Sequence, residues 1–260
     1  MDADLTSMIE TTPLTQQWPL DILLEDGPLI ALNKPAGLLT QGVPDALPTL
    51  EGQIKSYLKQ KLAKPGNVYL GVPHRLDRPV SGIVIFAKNS KAAARLAEQF
   101  RERSIRKTYL AVTESVPATS EGSLIDWLLK DAASAHVTVV TEETEGAKRA
   151  VLDYEVIAVR DGRALVKIEL HTGRMHQIRV QFASRGWSIE GDTQYGAAGT
   201  GYGAKGPGTA FGDGDLRTSA IALHAWQLVL KHPVRYDRVR LNARPPAAWN
   251  RFGFIVPTPD

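Results

Sequence analysis

The apolar run GIVIFA at residues 82–87 constrains the fold more than any other feature of this sequence. A continuous run of this kind, bounded by polar residues, predicts a buried β-strand. The segment HRLDRPVSG at 74–82 leads into it and places Asp77 between Arg75 and Arg78. We therefore expect Asp77 in a loop at the mouth of a strand, a common position for chemistry on a rigid scaffold. From this segment alone, the loop is a plain turn, a metal site or a nucleophile held ionised by nearby cations.

More strands than helices are predicted along the rest of the chain. The segment 21–35 has the form of a β-hairpin with a Glu-Asp-Gly turn. Amphipathic helices are predicted over 49–62 and after a cap at Asn89 or Ser90. Strands are further predicted over 68–72, 108–112 and 150–170, and a strand pair or helix–strand element over 221–234.

These elements predict an α+β fold, because few connections resemble repeated strand–helix–strand crossovers. We expect a mostly antiparallel central sheet with flanking helices and loops, and a catalytic cleft across the sheet. A length of 260 residues suits one large domain or two small ones. We assign residues 1–18 to a flexible N-terminal leader and residues 19–260 to one domain.

The composition excludes several classes of site. The chain has no cysteine, which rules out disulfide bonds, thiolate nucleophiles and cysteine-based zinc sites. This fits a reducing compartment, and we expect a cytoplasmic protein. No apolar run approaches the roughly 20 residues needed to cross a bilayer, so no membrane partner is expected. The net charge of +3 is compatible with an RNA or DNA partner without indicating one.

Basic residues concentrate between Lys88 and Lys107, where seven of them accompany only two acids, Glu98 and Glu102. A charge run of this kind is usually a solvated helix face. It is also the pattern of a surface that contacts phosphates. The sequence alone favours the solvated face.

A helix predicted over 174–186 carries an arginine on its apolar face. Met175, Ile178 and Phe182 mark that face, and Arg179 lies four residues from Met175 and three from Phe182. Either its apolar stem packs while the guanidinium reaches water, or a carboxylate or phosphate meets it. Asp77 is the candidate partner, since a cation beside it would favour the ionised carboxylate that covalent or general-base chemistry requires.

Two other patterns could hold a ligand. His74, Asp77, His171 and His176 form a possible metal set, although the neighbouring arginines would repel a dication. The glycine-rich segment 196–214 is predicted to be a mobile surface loop. It has no strand before it and no capped helix after it, so we do not interpret it as a nucleotide-binding loop.

Five segments together resemble the RluA branch of the pseudouridine synthases. They are LLEDGPLIALNKPAGLLTQG, HRLDRPVSGIVIFAKN, RKTYLAV, HTGRMHQIRVQFA followed by GDTQYG, and ALHAWQLVLKHP. The resemblance spans most of residues 22–234, in the family's order. Five ordered segments are far more specific than any one of them.

The resemblance implies a role for each matching residue. Asp77 matches the catalytic aspartate, Tyr109 the tyrosine that lies against the target base, and Arg179 the arginine that pairs with the aspartate. Ile178 would form an apolar wall of the pocket. Arg75 matches the arginine thought to fill the space that the extruded nucleotide leaves in the RNA helix.

The resemblance also implies RNA contacts and shows departures. We expect Arg78 and Lys107 to contact the RNA backbone. Val80 stands where relatives commonly have threonine, and the segment 196–214 is longer than usual. The N-terminal RNA-binding module that many relatives carry is expected to be absent, so recognition would rest on the catalytic domain.

The family reaction converts a uridine within RNA into its carbon-linked isomer, without redox change or group transfer, so no cofactor or metal is expected. The target base must leave the stack to reach a loop carboxylate. We expect an isomerase, an RNA pseudouridine synthase acting on ribosomal or transfer RNA as a monomer without an obligate protein partner. The alternative is a non-catalytic RNA-binding protein or RNA chaperone on the same fold. Attack by Asp77 on the base, attack on the sugar carbon and abstraction of a sugar proton all remain open.

Overall fold

The computed structural model describes residues 19–42, 47–63, 65–131, 136–196 and 220–258. The predicted leader 1–18 and the glycine-rich segment after residue 196 lie outside these residues. The helices in the described ranges are α1 (Leu50–Lys61), α2 (Ser90–Arg101), α3 (Gln177–Ala183) and a 3₁₀ helix (Ala247–Phe252). The strands in those ranges are β1 (Ile22–Asp26), β2 (Leu29–Lys34), β3 (Ser81–Ala87), β4 (Arg106–Thr113), β5 (Glu121–Lys130), β6 (Val137–Val140), β7 (Lys148–Arg160), β8 (Arg163–Leu170), β9 (Leu223–Lys231) and β10 (Arg238–Asn242).

The strands form one sheet in the order β1-β2-β3-β9-β4-β8-β7-β5-β6, with β10 paired to β9. Every pair of neighbours in this order is antiparallel except β3 and β9, which are parallel. The predicted α+β class with a mostly antiparallel sheet is confirmed. Within the described residues, no helix is long and apolar enough to cross a membrane.

The start of β3 lies unusually close to β9. Gly82 has a φ of 116°, and a Cβ at this position would lie 2.3 Å from the carbonyl oxygen of Ala225. Only glycine fits such an approach without displacing the backbone of β9. Gly82 therefore lets the loop that carries Asp77 sit directly against the middle of the sheet.

The helices and central strands follow the predicted patterns. All seven residues of β3 are buried, as the apolar run indicates. Asn89 caps α2 by accepting a hydrogen bond from the backbone N–H of Ala92 at 2.8 Å. Thr49 caps α1 in the same way, through the N–H of Gly52 at 3.0 Å. Both caps satisfy N–H groups that would otherwise lack partners at a helix start.

Residues 68–72 do not form the strand predicted for them. Gly71 alone pairs with Ala87, through hydrogen bonds of 2.8 and 3.0 Å. Gly71 lies against α2, where a Cβ would come within 2.6 Å of the Cβ of Ala93. Pro73 follows and has no N–H to donate, so the pairing does not continue. The prediction of a full strand here is wrong.

Candidate active site

Asp77 lies in the loop that enters β3, and the loop is fixed by backbone contacts. The N–H and carbonyl oxygen of Leu76 both bond the buried hydroxyl of Thr40, at 3.2 and 3.0 Å. One turn further, the N–H of Val80 donates to the carbonyl oxygen of Asp77 at 3.1 Å. The Asp77 side chain is 30% exposed and lines an open cleft of about 490 Å³. The loop thus presents a partly exposed carboxylate on a rigid backbone.

Lys34 supports this loop from inside the protein. Its side chain is fully buried, and its Nζ donates to the carbonyl oxygens of Pro35, Leu38 and Arg78 at 2.9, 2.8 and 3.3 Å. Burial lowers the pKa of Lys34 to about 7, while the negative charge of Asp77 acts in the opposite direction. Lys34 was not predicted as a site residue, although a lysine ending an apolar strand before a proline is an unusual sequence signal.

Arg179 is a buried cation, with 4% of its side chain exposed. Its Nε and Nη2 donate to the carboxylate of Asp192 at 2.6 and 2.7 Å, and Nη2 also donates to Gln194 at 3.1 Å. Its Nη1 lies 3.6 Å from Oδ2 of Asp77. Burial acts to lower the pKa of Arg179, but the hydrogen bonds that it donates to Asp192, with the negative charges of Asp192 and Asp77, outweigh burial and raise the pKa. The guanidinium therefore does not reach out to water, and a carboxylate that the sequence had not indicated holds it.

The helix that carries Arg179 starts three residues later than predicted. His176, immediately before α3, has a left-handed backbone with a φ of 52°. The side chain of Gln177 accepts hydrogen bonds from the Arg174 N–H and the Thr172 hydroxyl, at 3.1 and 2.7 Å. This side-chain network replaces the first helical turn. The prediction of helix from residue 174 is therefore wrong at its start.

The cleft walls combine apolar side chains with Tyr109. Tyr109 is half-buried on β4, and both burial and the negative charge of Asp77 raise the pKa of its hydroxyl. Ile178 lies on the opposite element, α3, and is buried with 4% exposure. The other apolar residues of the lining are Leu76, Val80, Leu170 and Leu223. A planar group placed in the cleft would therefore meet apolar side chains and Tyr109 on part of the lining, beside one carboxylate and several cationic side chains.

The predicted RNA contacts occupy different positions. Arg75 is exposed and lines the cleft. Arg78 lies on the inner side of the loop, where its Nε donates to the carbonyl oxygen of Gly37 at 3.0 Å. Lys107 is half-buried, and burial lowers its pKa to about 8. It lies beside the cleft residue Gly173, where a Cβ atom, if glycine had one, would be 3.8 Å from Nζ of Lys107.

The basic run 88–107 is only partly available to a ligand. Lys88, Arg101 and Arg106 form ion pairs with Glu25, Glu98 and Glu169, at 3.0, 2.6 and 2.7 Å respectively. Arg95 donates to the carbonyl oxygen of Pro233. Such exposed pairs contribute little stability, but they reduce the charge that this surface offers to a phosphate.

The possible metal set is not brought together. His74 accepts a hydrogen bond from the Ile85 N–H at 3.0 Å, and burial lowers its pKa to about 3. His171 contacts Asp153 at 2.5 Å. Only His176 approaches Asp77, at 3.7 Å. Among the described residues there is no group of three or more side chains of the metal-binding types arranged to hold an ion.

Three residues near Asp77 were not predicted from the sequence as site residues: Lys34, Asp192 and Tyr195. Asp192 is 1% exposed and Tyr195 is 7% exposed. The ring of Tyr195 lies against the guanidinium of Arg179, and the distance from Cζ of Arg179 to the ring centroid is 5.0 Å. Asp192 and Tyr195 belong to the segment GDTQYG, whose charged and aromatic residues in a short turn were the available signal.

Comparison with known proteins gives consistent matches. The sequence model of the family described as RNA pseudouridylate synthase matches residues 28–184. Ribosomal large subunit pseudouridine synthase D of Zymomonas mobilis is 32% identical over 233 residues, which cover 89% of this chain and 71% of that protein. The tRNA pseudouridine synthase C of Haemophilus influenzae is 30% identical over 250 residues, covering 90% and 98%. The solved structure of human RNA pseudouridylate synthase domain containing 4 matches with a TM-score of 0.71 at 25% identity, covering 92% of this chain and 95% of that one.

Proposed function

The chain belongs to the RNA pseudouridylate synthase family, in its RluA branch, and we propose that it isomerises a uridine of ribosomal or transfer RNA to pseudouridine. The observation that carries this proposal is the carboxylate of Asp77 in the cleft, with the buried cation Arg179 at 3.6 Å. In the reaction the bond from the sugar to N1 of uracil breaks, the sugar bonds C5, the C5 proton is released to solvent, and N1 takes up a proton in its place. This chemistry needs one well-placed nucleophile or base and a pocket for an extruded base.

Asp77 is the residue that acts on the uridine in this proposal. It attacks as a carboxylate, at the base or at the sugar carbon, or it abstracts a sugar proton to assist glycosidic cleavage. Arg179 directs its Nη1 at the carboxylate, 3.6 Å from Oδ2. Because Asp192 accepts the short hydrogen bonds of Arg179, the contact with Asp77 is the longer and weaker of the two.

Tyr109 and Ile178 receive the extruded uracil in this proposal. The phenol ring and the aliphatic side chain lie on different walls of the same cleft. Stacking of a base on an aromatic side chain contributes about 1–3 kcal/mol. Because its pKa is raised, the hydroxyl of Tyr109 keeps its proton, so it assists removal of the C5 proton as a relay that gives its own proton to solvent as it accepts that of C5.

Arg75, Arg78 and Lys107 are proposed to bind the RNA around the target. Arg75, exposed beside Asp77, fills the space from which the nucleotide leaves. Lys107 and the cations of 88–107 that lack an acidic partner contact phosphates, so binding weakens steeply with salt. Arg78 contacts the RNA backbone only next to its own loop, because its Nε already donates to the carbonyl oxygen of Gly37.

A non-catalytic RNA-binding protein is the alternative, and one modification map separates the two. Pseudouridines are mapped in total RNA from a strain carrying the Asp77→Ala allele in place of the wild-type gene, and from its parent. The synthase proposal expects at least one site to lose its modification while the variant protein still binds RNA. An unchanged map, with the variant expressed and folded, would favour the RNA-binding alternative.

We further propose one catalytic domain that acts as a cytoplasmic monomer. The described cleft is lined by residues of this chain from Arg75 to Leu223, which is compatible with a monomer. The absence of cysteine agrees with a reducing compartment. Light scattering of the purified protein at activity-assay concentrations tests the monomer: a mass of one chain supports it, and a dimer mass contradicts it.

A further inference from the structure

His176 has a strained backbone beside Asp77. Its φ of 52° lies in the left-handed region, which residues other than glycine adopt uncommonly, although histidine, asparagine and aspartate are enriched there. Strain of this kind persists only where the surroundings fix it, and it concentrates at functional sites. Here the side chain of Gln177 fixes it, by accepting from the Arg174 N–H at 3.1 Å and donating to the Val151 carbonyl oxygen at 3.1 Å. The fold thus holds the imidazole of His176 in the cleft.

A chain of hydrogen bonds sets which nitrogen of His176 carries the proton. The hydroxyl oxygen of Tyr195 accepts from the backbone N–H of Val137 at 3.0 Å and lies 2.7 Å from Nδ1 of His176. If the hydroxyl donates to Nδ1, the neutral imidazole has its proton on Nε2. The opposite arrangement would direct the Nε2 lone pair at the carboxylate of Asp77, 3.7 Å away. Electrostatics therefore favours the proton on Nε2.

The surroundings of His176 favour the neutral form of its imidazole. Burial lowers the pKa of His176, Arg179 acts in the same direction, and Asp77 and Asp192 act against them. A neutral Nε2–H is a hydrogen-bond donor without a net charge. It can therefore orient a carboxylate without competing with Arg179 for its ionic interaction.

His176 and Arg179 approach the same carboxylate oxygen. The shortest contact of each is to Oδ2 of Asp77, at 3.7 Å from Nε2 and 3.6 Å from Nη1. Both distances exceed a hydrogen bond, and contacts in a free active site commonly shorten when substrate binds. With Oδ2 held from two sides, Oδ1 is the oxygen left to meet the uridine.

Resting on the proposed function, we propose that His176 is a positioning residue. Its Nε2–H, oriented by the hydroxyl of Tyr195, holds Oδ2 of Asp77 so that Oδ1 faces the target nucleotide. This adds to the aspartate, tyrosine and arginine a pair of residues, Tyr195 and His176, that acts on the reaction through Asp77. A misplacement of a reacting group by about 1 Å can cost roughly 100-fold in rate.

The test uses the full-length protein and a short RNA that the wild type modifies. Single-turnover rates and RNA affinities are measured for His176→Leu, His176→Gln and Tyr195→Phe, each verified as folded by circular dichroism. His171→Gln is the matched control, because His171 pairs with Asp153 and does not line the cleft. We expect a rate loss of about 10- to 100-fold in His176→Leu, with RNA affinity within twofold of the wild type. The glutamine variant, which retains an N–H at a similar reach, recovers most of the rate.

A second measurement is independent of activity. Nitrogen-15 spectra of the histidine rings report the tautomer of His176, assigned by its loss in His176→Gln. We expect the proton on Nε2 in the wild type and a mixture of tautomers in Tyr195→Phe. A proton on Nδ1 in the wild type, or a wild-type rate in His176→Leu, overturns the positioning role. Failure of the proposed function would instead appear as no pseudouridine formed by the wild-type protein on any RNA tested, whatever the tautomer.

Discussion

Arg179 donates two hydrogen bonds to Asp192, at 2.6 and 2.7 Å, whereas its contact with Asp77 is 3.6 Å long. The cation is thus anchored by one carboxylate and directed at another. Removing a charge from water is costly unless good hydrogen bonds compensate, and Asp192 supplies them. Among the described residues no side chain makes a short contact with the carboxylate oxygens of Asp77, as a group that must react with a substrate requires.

Asp192→Asn should destabilise the protein and reduce its activity. The substitution leaves Arg179 buried with a neutral partner, and breaking a buried ion pair from one side costs about 3–5 kcal/mol. Because the amide still accepts one hydrogen bond, we expect a loss near the lower end of that range in the free energy of unfolding, measured with urea. Asp161→Asn is the control, since this aspartate is 78% exposed in its surface pair with Arg160. A variant as stable as the control would show that Asp192 does not anchor Arg179.

Lys34→Met should change how stability depends on pH. The pKa of Lys34 is about 7 in the folded protein against an ordinary value of 10.5, so the unfolded chain binds more protons between these limits. The unfolding free energy of the wild type should therefore rise with pH relative to the variant from about pH 7 to pH 10, by up to about 1.4 kcal/mol per pH unit. This gain is lost progressively as the pH falls from about 10 to about 7, and below pH 7 the two curves should run parallel. Parallel curves for the two proteins from pH 6 to pH 10 would contradict the low pKa.

Tyr109→Phe separates the two roles proposed for this residue. The ring and its stacking surface remain, while the hydroxyl is lost. If the hydroxyl assists proton removal, the single-turnover rate should fall by about 100-fold or more, with RNA affinity unchanged. Tyr69→Phe is the matched control, because Tyr69 is 50% exposed and lies outside the cleft. A wild-type rate in Tyr109→Phe would restrict the residue to stacking.

Arg75→Ala should matter most when the target uridine is paired. A side chain that fills the vacated space lowers the cost of extruding a base, a cost of a few kcal/mol that is smallest for an unpaired nucleotide. We therefore expect the single-turnover rate to fall at least tenfold more on a duplex target than on the same uridine in an open loop. Lys55→Ala, on the exposed face of α1, should show no such difference. Equal losses on both RNAs would indicate a simple phosphate contact instead.

Local sequence patterns predicted the elements that local physics determines. The hairpin of β1 and β2, the capped helices α1 and α2, and the buried strand β3 follow from turn residues, caps and apolar spacing. The segment predicted as a strand pair or helix–strand element over 221–234 contains strand β9 and no helix within its described residues. The family resemblance placed Asp77, Tyr109 and Arg179 in one site, and their side chains line one cleft.

Contacts between distant residues could not be obtained in this way. Asp192 lies thirteen residues from Arg179, in a turn without helix or strand periodicity, so nothing local indicated their pairing. The start of α3 depends on the Gln177 side chain reaching Val151, a contact across 26 residues. Lys34 is stabilised inside the protein by carbonyl oxygens of two loops. The contacts of Arg179 with Asp192, of Gln177 with Val151 and of Lys34 with Arg78 join residues far apart in the sequence, and they override the local pattern.

The most direct test of the central claim is tritium release from RNA labelled at C5 of uridine, catalysed by purified Asp77→Asn protein. The isomerisation must release the C5 hydrogen of each converted uridine. The amide has nearly the shape of the carboxylate but is neither a nucleophile nor a base, so loss of activity would not follow from altered packing. We predict tritium release by the wild type and none above background by the folded variant, with RNA binding retained. Release at the wild-type rate by Asp77→Asn would contradict the assignment of Asp77 as the catalytic residue.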